Sequence, residues 1–486
     1  MTEPFVFRSP TRLVFGAGSV ESAGAEALAA VSAFQAAAAS SSAASPGGAG
    51  LPGGGSPRGA AERRRLAFLV TGKGHTARSA GLARLRASLE RSGFAVELYA
   101  EATADPPVEL VLACAEGLAA SGASLVVAYG GGSPIDCAKA ASVYAANTAP
   151  QGPFPGAPFL DFLYGRLVFS APGLPLMAVP TTAGSGSEMS AAAVTTDLAA
   201  SSKRGLSSDF FFPRAALVDP ELQATMPPAL AAATGMDALT HAIESFASLK
   251  ATPLTRAIAG ESARLIAGSL ERAVAAAAEG PGGAADLGGA EAAGAAAIGG
   301  AGGAAARAAA AARADMALAS AQVAMAFSQT GLGMVHGFAH PVGARAGVAH
   351  GVANAVLLPY VMEACAEAAP GPFALLGDLF AAASPSGEAE VRAAGEGSLG
   401  ARRGGLASGL RAPDRRAPEA ERAAYAVGFV RELSRAIGIP ARLRELGVDR
   451  GDLPAILADA ISYRGRGGSP RAFTDAELGG LLERAY

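Results

Sequence analysis

"SLVVAYGGGSPIDCAKA", residues 124–140, decides the fold. A short apolar run with paired valines ends in three glycines, and Pro134 then opens a stretch of helical character. The run reads as a buried strand and the glycines as the turn that leads into a helix. Gly131, Gly132 and Ser133 occupy that turn. Glycines let a backbone approach a phosphate closely, and the free N–H groups of a helix start attract anions. Pro134 suits the first helical position, with Ser133 as its cap. The same turn also serves as a plain connection, since it lacks the G-x-G-x-x-G spacing of the dinucleotide fingerprint. "FGAGSV", residues 15–20, reads as a turn only.

Working outward, the N-terminal half alternates strand and helix. "RLAFLVTG" (65–72), "AVELYA" (95–100) and "LPLMAVPTT" (174–182) read as strands; "ARLRASLERSGF" (83–94) and "VELVLACAEGLAAS" (108–121) have helical periodicity. Such alternation predicts a parallel sheet covered by helices on both faces. "VPTTAGSGSE", residues 179–188, places Thr181, Thr182, Ser185 and Ser187 beyond another strand. Small hydroxyl residues on a glycine-rich loop can hold ribose and phosphate oxygens. Both loops sit at carboxyl ends of presumed parallel strands, the edge where open α/β sheets bind ligands. After about Asp219 the pattern turns helical, as in "PALAAATGMDALTHAIESFAS" (228–248) and "YAVGFVRELSRAIGI" (425–439). The expected boundary falls within "ALVDPEL", giving an α/β domain over residues 1–219 and an all-α domain over 220–486.

Three stretches read as insertions: residues 36–65, 279–311 and 384–419. They are rich in Gly, Ala, Ser and Arg and offer little apolar side chain to offset ordering entropy. The first and third are expected to be mobile surface loops, and the second to become helical toward its end, where alanine dominates.

The chain has 486 residues, is 50% hydrophobic and carries a net charge of −3. A large core is therefore affordable, and no basic patch points to nucleic acid. Three scattered cysteines fit a reduced, cytoplasmic chain better than a disulfide framework. No secretory leader or transmembrane span is expected from the pattern.

Four of the five histidines fall in two stretches: His241 in "GMDALTHAIE" (235–244), and His336, His340 and His350 in "GMVHGFAHPVGARAGVAHG" (333–351). Asp237 and His241 are four apart, as are His336 and His340, so each pair projects from one helix face. His350 follows a Pro/Gly-containing turn and opens a new helix. One carboxylate and three imidazoles suit a borderline cation such as Fe(II) or Zn(II). That set forms only if the two stretches meet in space; a single histidine on an apolar face is ordinarily a hydrogen-bonded core residue. His75 in "GKGHT" has no such context.

Together, "GGGSPIDCAKA", "PTTAGSGSE", "DPELQATMPPALAAATGMDALTHAIESFAS" and "HGFAHPVGARAGVAHGVANAVLLP" resemble the iron-containing (group III) alcohol dehydrogenase family, in the family's order. The resemblance covers nearly the whole chain outside the insertions, including a C-terminal tail with Ser469 where asparagine is more usual. It implies a Rossmann-like N-terminal domain, an all-α C-terminal domain and an active site in the interdomain cleft. It further implies Asp237, His241, His336 and His350 as metal ligands, and His340 as a non-ligand near nicotinamide and substrate. Gly131, Gly132, Ser133 and Asp136 fall on the pyrophosphate loop; Thr181, Thr182 and Ser185 on a second cofactor loop; Lys203 on a cofactor-contacting lysine; and Phe327 on a substrate-pocket position. NAD-preferring members carry aspartate where this chain has Gly72, followed by Lys73, which is expected to favour or tolerate NADP(H). The implied reaction is hydride transfer between NAD(P)(H) and a small alcohol or aldehyde, by a homodimer or larger homo-oligomer. Maleylacetate reductase, hydroxyacid–oxoacid transhydrogenase, glycerol dehydrogenase-like or dehydroquinate synthase-like chemistry shares the scaffold. A catalytically inactive nucleotide- or metal-binding protein is the reading from another class.

Overall fold

The computed structural model describes residues 4–43, 65–279, 300–383 and 410–486. The chain divides into two compact units, one of residues 9–181 and 187–222, the other of residues 1–8, 182–186 and 223–486.

The first unit is built on a six-stranded parallel sheet. Its strands are β1 (Arg12–Phe15), β2 (Arg65–Gly72), β3 (Phe94–Ala102), β4 (Leu125–Gly130), β5 (Leu176–Pro180) and β8 (Ala215–Val218), in the order β1-β8-β5-β4-β2-β3. A separate antiparallel hairpin pairs β6 (Ala192–Asp197) with β7 (Ser202–Ser207). The helices are α1 (Ala23–Ala43), α2 (Ala80–Arg91), α3 (Val108–Ser121), α4 (Gly132–Thr148) and α5 (Phe159–Leu163). Alternate residues of one strand serve opposite faces. Phe68, Val70, Val126 and Ala128 join one core with α3 and α4, whereas Ala67, Leu69, Leu125 and Val127 join a second with α1 and α2. Helices on both faces explain why the central strands are continuous apolar runs. From β2 the chain steps one way to β3, then returns past β2 to β4 and on to β5. The order therefore reverses between β2 and β4, the position that opens a crevice at the carboxyl ends of the strands.

The other unit is helical: α6 (Pro228–Ala247), α7 (Pro253–Ala278), α8 (Gly300–Thr330), α9 (Met334–Ala346), α10 (His350–Ala368), α11 (Pro370–Ala383), α12 (Glu419–Ala436), α13 (Leu453–Ile461) and α14 (Asp475–Ala485). Helix α6 is its central rod, buried nearly all round and packed against α7, α8 and α10. Small residues permit that packing. A Cβ on Gly351 would lie 2.1 Å from the Ala233 carbonyl oxygen and 3.3 Å from Asp237 Cβ, so glycine lets the start of α10 lie flush on α6.

Several local expectations change. The first insertion does not begin at residue 36, because α1 continues to Ala43 on residues of high helix propensity; residues 44–64 lie outside the described residues. The alanine-rich end of the second is helical, within α8, and residues 280–299 lie outside. Of the third, residues 384–409 lie outside and Glu419 already opens α12. Pro341 lies inside α9, and the turn before His350 is residues 347–349, with Gly347 at φ 65°. Helix α4 is capped at Gly131 rather than Ser133, since the backbone becomes helical at Gly132.

Candidate metal centre and cofactor loops

Helix α6 carries Asp237 and His241 one turn apart, α9 begins two residues before His336, and α10 begins at His350. Asp237 Oδ1 lies 3.7 Å from His241 Nε2, 3.8 Å from His336 Nε2 and 3.6 Å from His350 Nε2. Ligands about 2.1 Å from a tetrahedral cation stand roughly 3.4 Å apart, so these separations are a few tenths of an ångström wider than a closed site. Asp237, His241 and His336 form a mutually close group. His350 reaches Asp237 but stands outside that group. Asp237, His241 and His336 are buried. The donor set, one carboxylate and three imidazoles, fits a divalent first-row cation.

Glu244, three residues beyond His241 on the same helix, orients the set. Its Oε2 accepts from His336 Nδ1 at 2.7 Å and from the Gly333 N–H at 2.9 Å, and its Oε1 accepts from the Val335 N–H at 2.8 Å. A carboxylate on Nδ1 fixes the proton there and turns Nε2 toward Asp237. A further N–H at that helix start, of Met334, donates to Ser469 Oγ at 3.2 Å. Ser469 thus has a defined task at that helix start. Asn354, one turn after His350, completes the cluster: its Nδ2 donates to Asp237 Oδ1 at 2.7 Å.

The charges follow the geometry. Burial works against ionisation of Asp237, yet His241, His350 and His336 hold its carboxyl far below the usual range. Burial pulls His241 down to about 4. Burial also opposes a charge on His336, but Glu244 and Asp237 outweigh it and push that imidazole up to about 9. Without a cation, His336 therefore holds a proton between two carboxylates.

His340 lies on α9 beside this group, its ring centroid 5.2 Å from that of His350 and 6.0 Å from that of Tyr463. Phe327, on α8, sets its ring 4.6 Å from the His241 ring. Thr182 and Ser185 belong to the segment 182–186 of the helical unit. There Gly184 and Gly186 lie against Thr234 and Ala324, so closely that a Cβ on either would fall within 3.0 Å of them.

In the sheet unit, Gly72 ends β2, Gly130–Ser133 follow β4, and Thr181 follows β5. These strands are neighbours, and the Thr181 N–H donates to the Gly130 carbonyl at 2.8 Å. The turns read as a cofactor site thus share one edge at the strand-order reversal. Ser133 Oγ accepts from the Asp105 N–H at 3.2 Å, and the Asp105 carboxylate pairs with buried Lys203. Asp136 is turned inward, bonded through Oδ1 to Ser187 Oγ and through Oδ2 to the Val194 N–H. Buried Lys139 donates to the carbonyls of Ser187, at 2.6 Å, and Ser190, at 3.1 Å. Asp136 and Lys139 therefore hold the turn at residues 187–190 onto α4. Lys73 is paired with Glu101, Nζ to Oε2 2.7 Å.

Comparison with known proteins agrees with both units. The family profile described as "Iron-containing alcohol dehydrogenase" matches residues 57–220, and "Fe-containing alcohol dehydrogenase family, C-terminal" matches 231–302 and 299–486. The chain belongs to the iron-containing alcohol dehydrogenase family. It is similar to lactaldehyde reductase of Escherichia coli (strain K12), 32% identical over 424 residues, covering 86% of this chain and 92% of the relative. It is also similar to 1,3-propanediol dehydrogenase of Klebsiella pneumoniae, 32% identical over 362 residues, covering 74% and 76%. Among solved structures, a 1,3-propanediol oxidoreductase superposes with a TM-score of 0.73 at 27% identity, covering 100% of both chains. As a member of this family, the chain is an oxidoreductase acting on alcohols and aldehydes. The reading as an inactive binding protein is not favoured.

The residues not singled out from sequence are Glu244, Asn354 and Lys139. Two of them carried a signal. Asp237, His241 and Glu244 recur at intervals of four and three along one helix face, and Asn354 stands four after His350.

Proposed function

We propose that this chain reduces short aldehydes and oxidises the corresponding alcohols, using NAD(P)(H) and a divalent cation held by Asp237, His241, His336 and His350. The observation that carries the reading is the convergence of one ionised carboxylate and three imidazole nitrogens, with Glu244 holding one imidazole in its ligating orientation. When bound, the cation supplies a Lewis acid for the substrate oxygen and the nicotinamide supplies the hydride. The chain's own residues do the rest. Asp237 balances the cation's charge. Phe327 and its surroundings exclude water beside His241. His340 passes the proton between the substrate oxygen and solvent, as an imidazole near neutrality can. Gly131, Gly132 and Ser133 hold the pyrophosphate, and Thr181, Thr182 and Ser185 give hydroxyls to the remainder of the coenzyme.

Coenzyme choice is set at the end of β2. Gly72 offers no carboxylate to repel a 2′-phosphate, so NADP(H) is accepted beside NAD(H). The cation of Lys73 is partly cancelled by Glu101, so it adds little preference. No helix among the described residues is long and apolar enough to cross a membrane. We place the enzyme in the cytoplasm, as a homodimer or larger homo-oligomer.

The test is metal removal and anaerobic reloading with Fe(II) or Zn(II), followed by NAD(P)H consumption with a panel of short aldehydes. Activity should appear only with metal. Asp237→Ala should abolish metal retention, and His340→Ala should keep the metal but slow turnover and change its pH profile. A metal-free protein as active as the reloaded one would overturn the reading.

A further inference from the structure

Asn354 is fully buried, and its side chain occupies the focus of the ligand set. Its Nδ2 lies 2.7 Å from Asp237 Oδ1, 3.2 Å from His336 Nε2 and 3.2 Å from His350 Nε2. A primary amide has two N–H groups, and a protonated His336 turns an Nε2–H toward them, donor against donor, so Nδ2 cannot be satisfied by all three contacts. Its Oδ1 has no hydrogen-bond partner. A buried carbonyl oxygen without a partner is costly and asks what it is for. The three atoms around Nδ2 are also the three whose lone pairs would turn to a cation, and an N–H aimed at that cation would repel it. A half-turn about Cβ–Cγ exchanges the oxygen and nitrogen of an asparagine with almost no change of shape.

We propose that Asn354 is a fifth member of the metal cradle: when a cation enters, its amide turns over and Oδ1 becomes a neutral oxygen donor to it. In the metal-free protein Nδ2 holds Asp237 in place, and in the loaded protein the orphaned oxygen gains its partner. The same side chain thus keeps the site assembled in both states. This rests on the metal-centre reading above and adds a donor on α10, four residues after His350.

The experiment uses the full chain, stripped of metal, titrated with Co(II) and Zn(II) against a chromophoric chelator at fixed pH. Asn354→Leu removes both polar atoms and should weaken metal binding on the order of 10–100-fold. Its Co(II) visible bands should intensify, because lower-coordinate Co(II) absorbs more strongly. Asn354→Asp keeps the shape and an oxygen, adds a charge, and should bind at least as tightly as the wild type. It also keeps the test informative if the leucine variant does not fold. Binding by Asn354→Leu within twofold of wild type, with an unchanged Co(II) spectrum, would overturn the proposal. So would weaker binding by Asn354→Asp, which would mean that Nδ2–H donation to Asp237 is the whole role. A wild-type protein that binds neither metal would sink the metal-centre reading itself.

Discussion

Replacing Glu244 by glutamine tests how the metal centre is held. Three donors meet the two oxygens of Glu244: the Gly333 N–H and His336 Nδ1 on Oε2, and the Val335 N–H on Oε1. Glutamine has the same shape but only one oxygen. If that oxygen takes the Oε2 position, its NH₂ group faces the Val335 N–H, donor against donor. If it takes the Oε1 position, its NH₂ group faces His336 and drives the ring to the tautomer with its proton on Nε2, the nitrogen directed at Asp237. Either way one buried donor loses its partner, at about 1–3 kcal/mol, and a charge-assisted bond becomes a neutral one. Metal affinity should fall on the order of 10–100-fold, equivalent to about 1.4–2.8 kcal/mol. The two routes to the magnitude agree. The assay is chelator competition on the purified variant, beside thermal unfolding of the metal-free protein. A lower melting temperature alone decides nothing, because Glu244 also caps the start of α9. A metal dissociation constant within twofold of wild type would refute the reasoning and leave Glu244 as a helix cap.

Three other perturbations are as specific. Burial raises Glu188 to about 7, so between pH 4.5 and 7 the folded chain binds a proton that the unfolded chain lacks, and stability falls as pH rises through that window. Glu188→Gln should match wild type near pH 5 and exceed it above pH 7 by up to about 3 kcal/mol in denaturant unfolding, with Asp136 still facing Lys139; an equal offset at both pH values would contradict this. A Cβ at Gly72 meets nothing nearer than 3.6 Å, so Gly72→Asp should fold normally and lower kcat/KM for NADPH relative to NADH roughly fivefold or more, whereas Glu101→Gln should shift the ratio about twofold the other way. Gly351→Ala drives a Cβ against the Ala233 carbonyl, and should cost about 1–3 kcal/mol in unfolding and loosen metal binding, since His350 and Asp237 flank the contact.

What sequence made legible, and what it did not, follows from the range of the forces involved. The helix at residues 108–121 and the strand over residues 125–130 are written in local periodicity, because each buries a face that repeats within a few residues. The β6–β7 hairpin escaped. Strand β7, "SKRGLS", is mostly polar and shows no apolar alternation that would mark it as a strand beside β6. The end of α1 is hidden because "AAAASSSA" has the composition of a low-complexity loop, although alanine there has the same helix propensity as in α8. The histidines announced a metal centre by their crowding. Their meeting depends on how α9 and α10 lie on α6, and the glycine that permits the contact is one among 63 in the chain. Glu244 and Asn354 passed unremarked because each is chemically ordinary until its neighbours are in place.

The charges show why such a site should prefer a cation to a proton. Asp237 and Glu244 bring two negative charges into a buried cluster, and His336 returns one positive charge when protonated. The His336 charge thus offsets only one of the two carboxylates in a low-dielectric interior, where unbalanced charge is expensive. A divalent cation that displaces the proton leaves neutral imidazoles and cancels both carboxylates. The cluster then carries no net charge, and every lone pair directed inward has a partner. A proton must leave His336, whereas His241 is already neutral above about pH 4. The arrangement thus lowers the protonic barrier to loading while keeping the empty site electrostatically dissatisfied. Glu244 has a part in both effects: it holds the His336 proton in the metal-free protein, and it fixes the tautomer that must receive the metal.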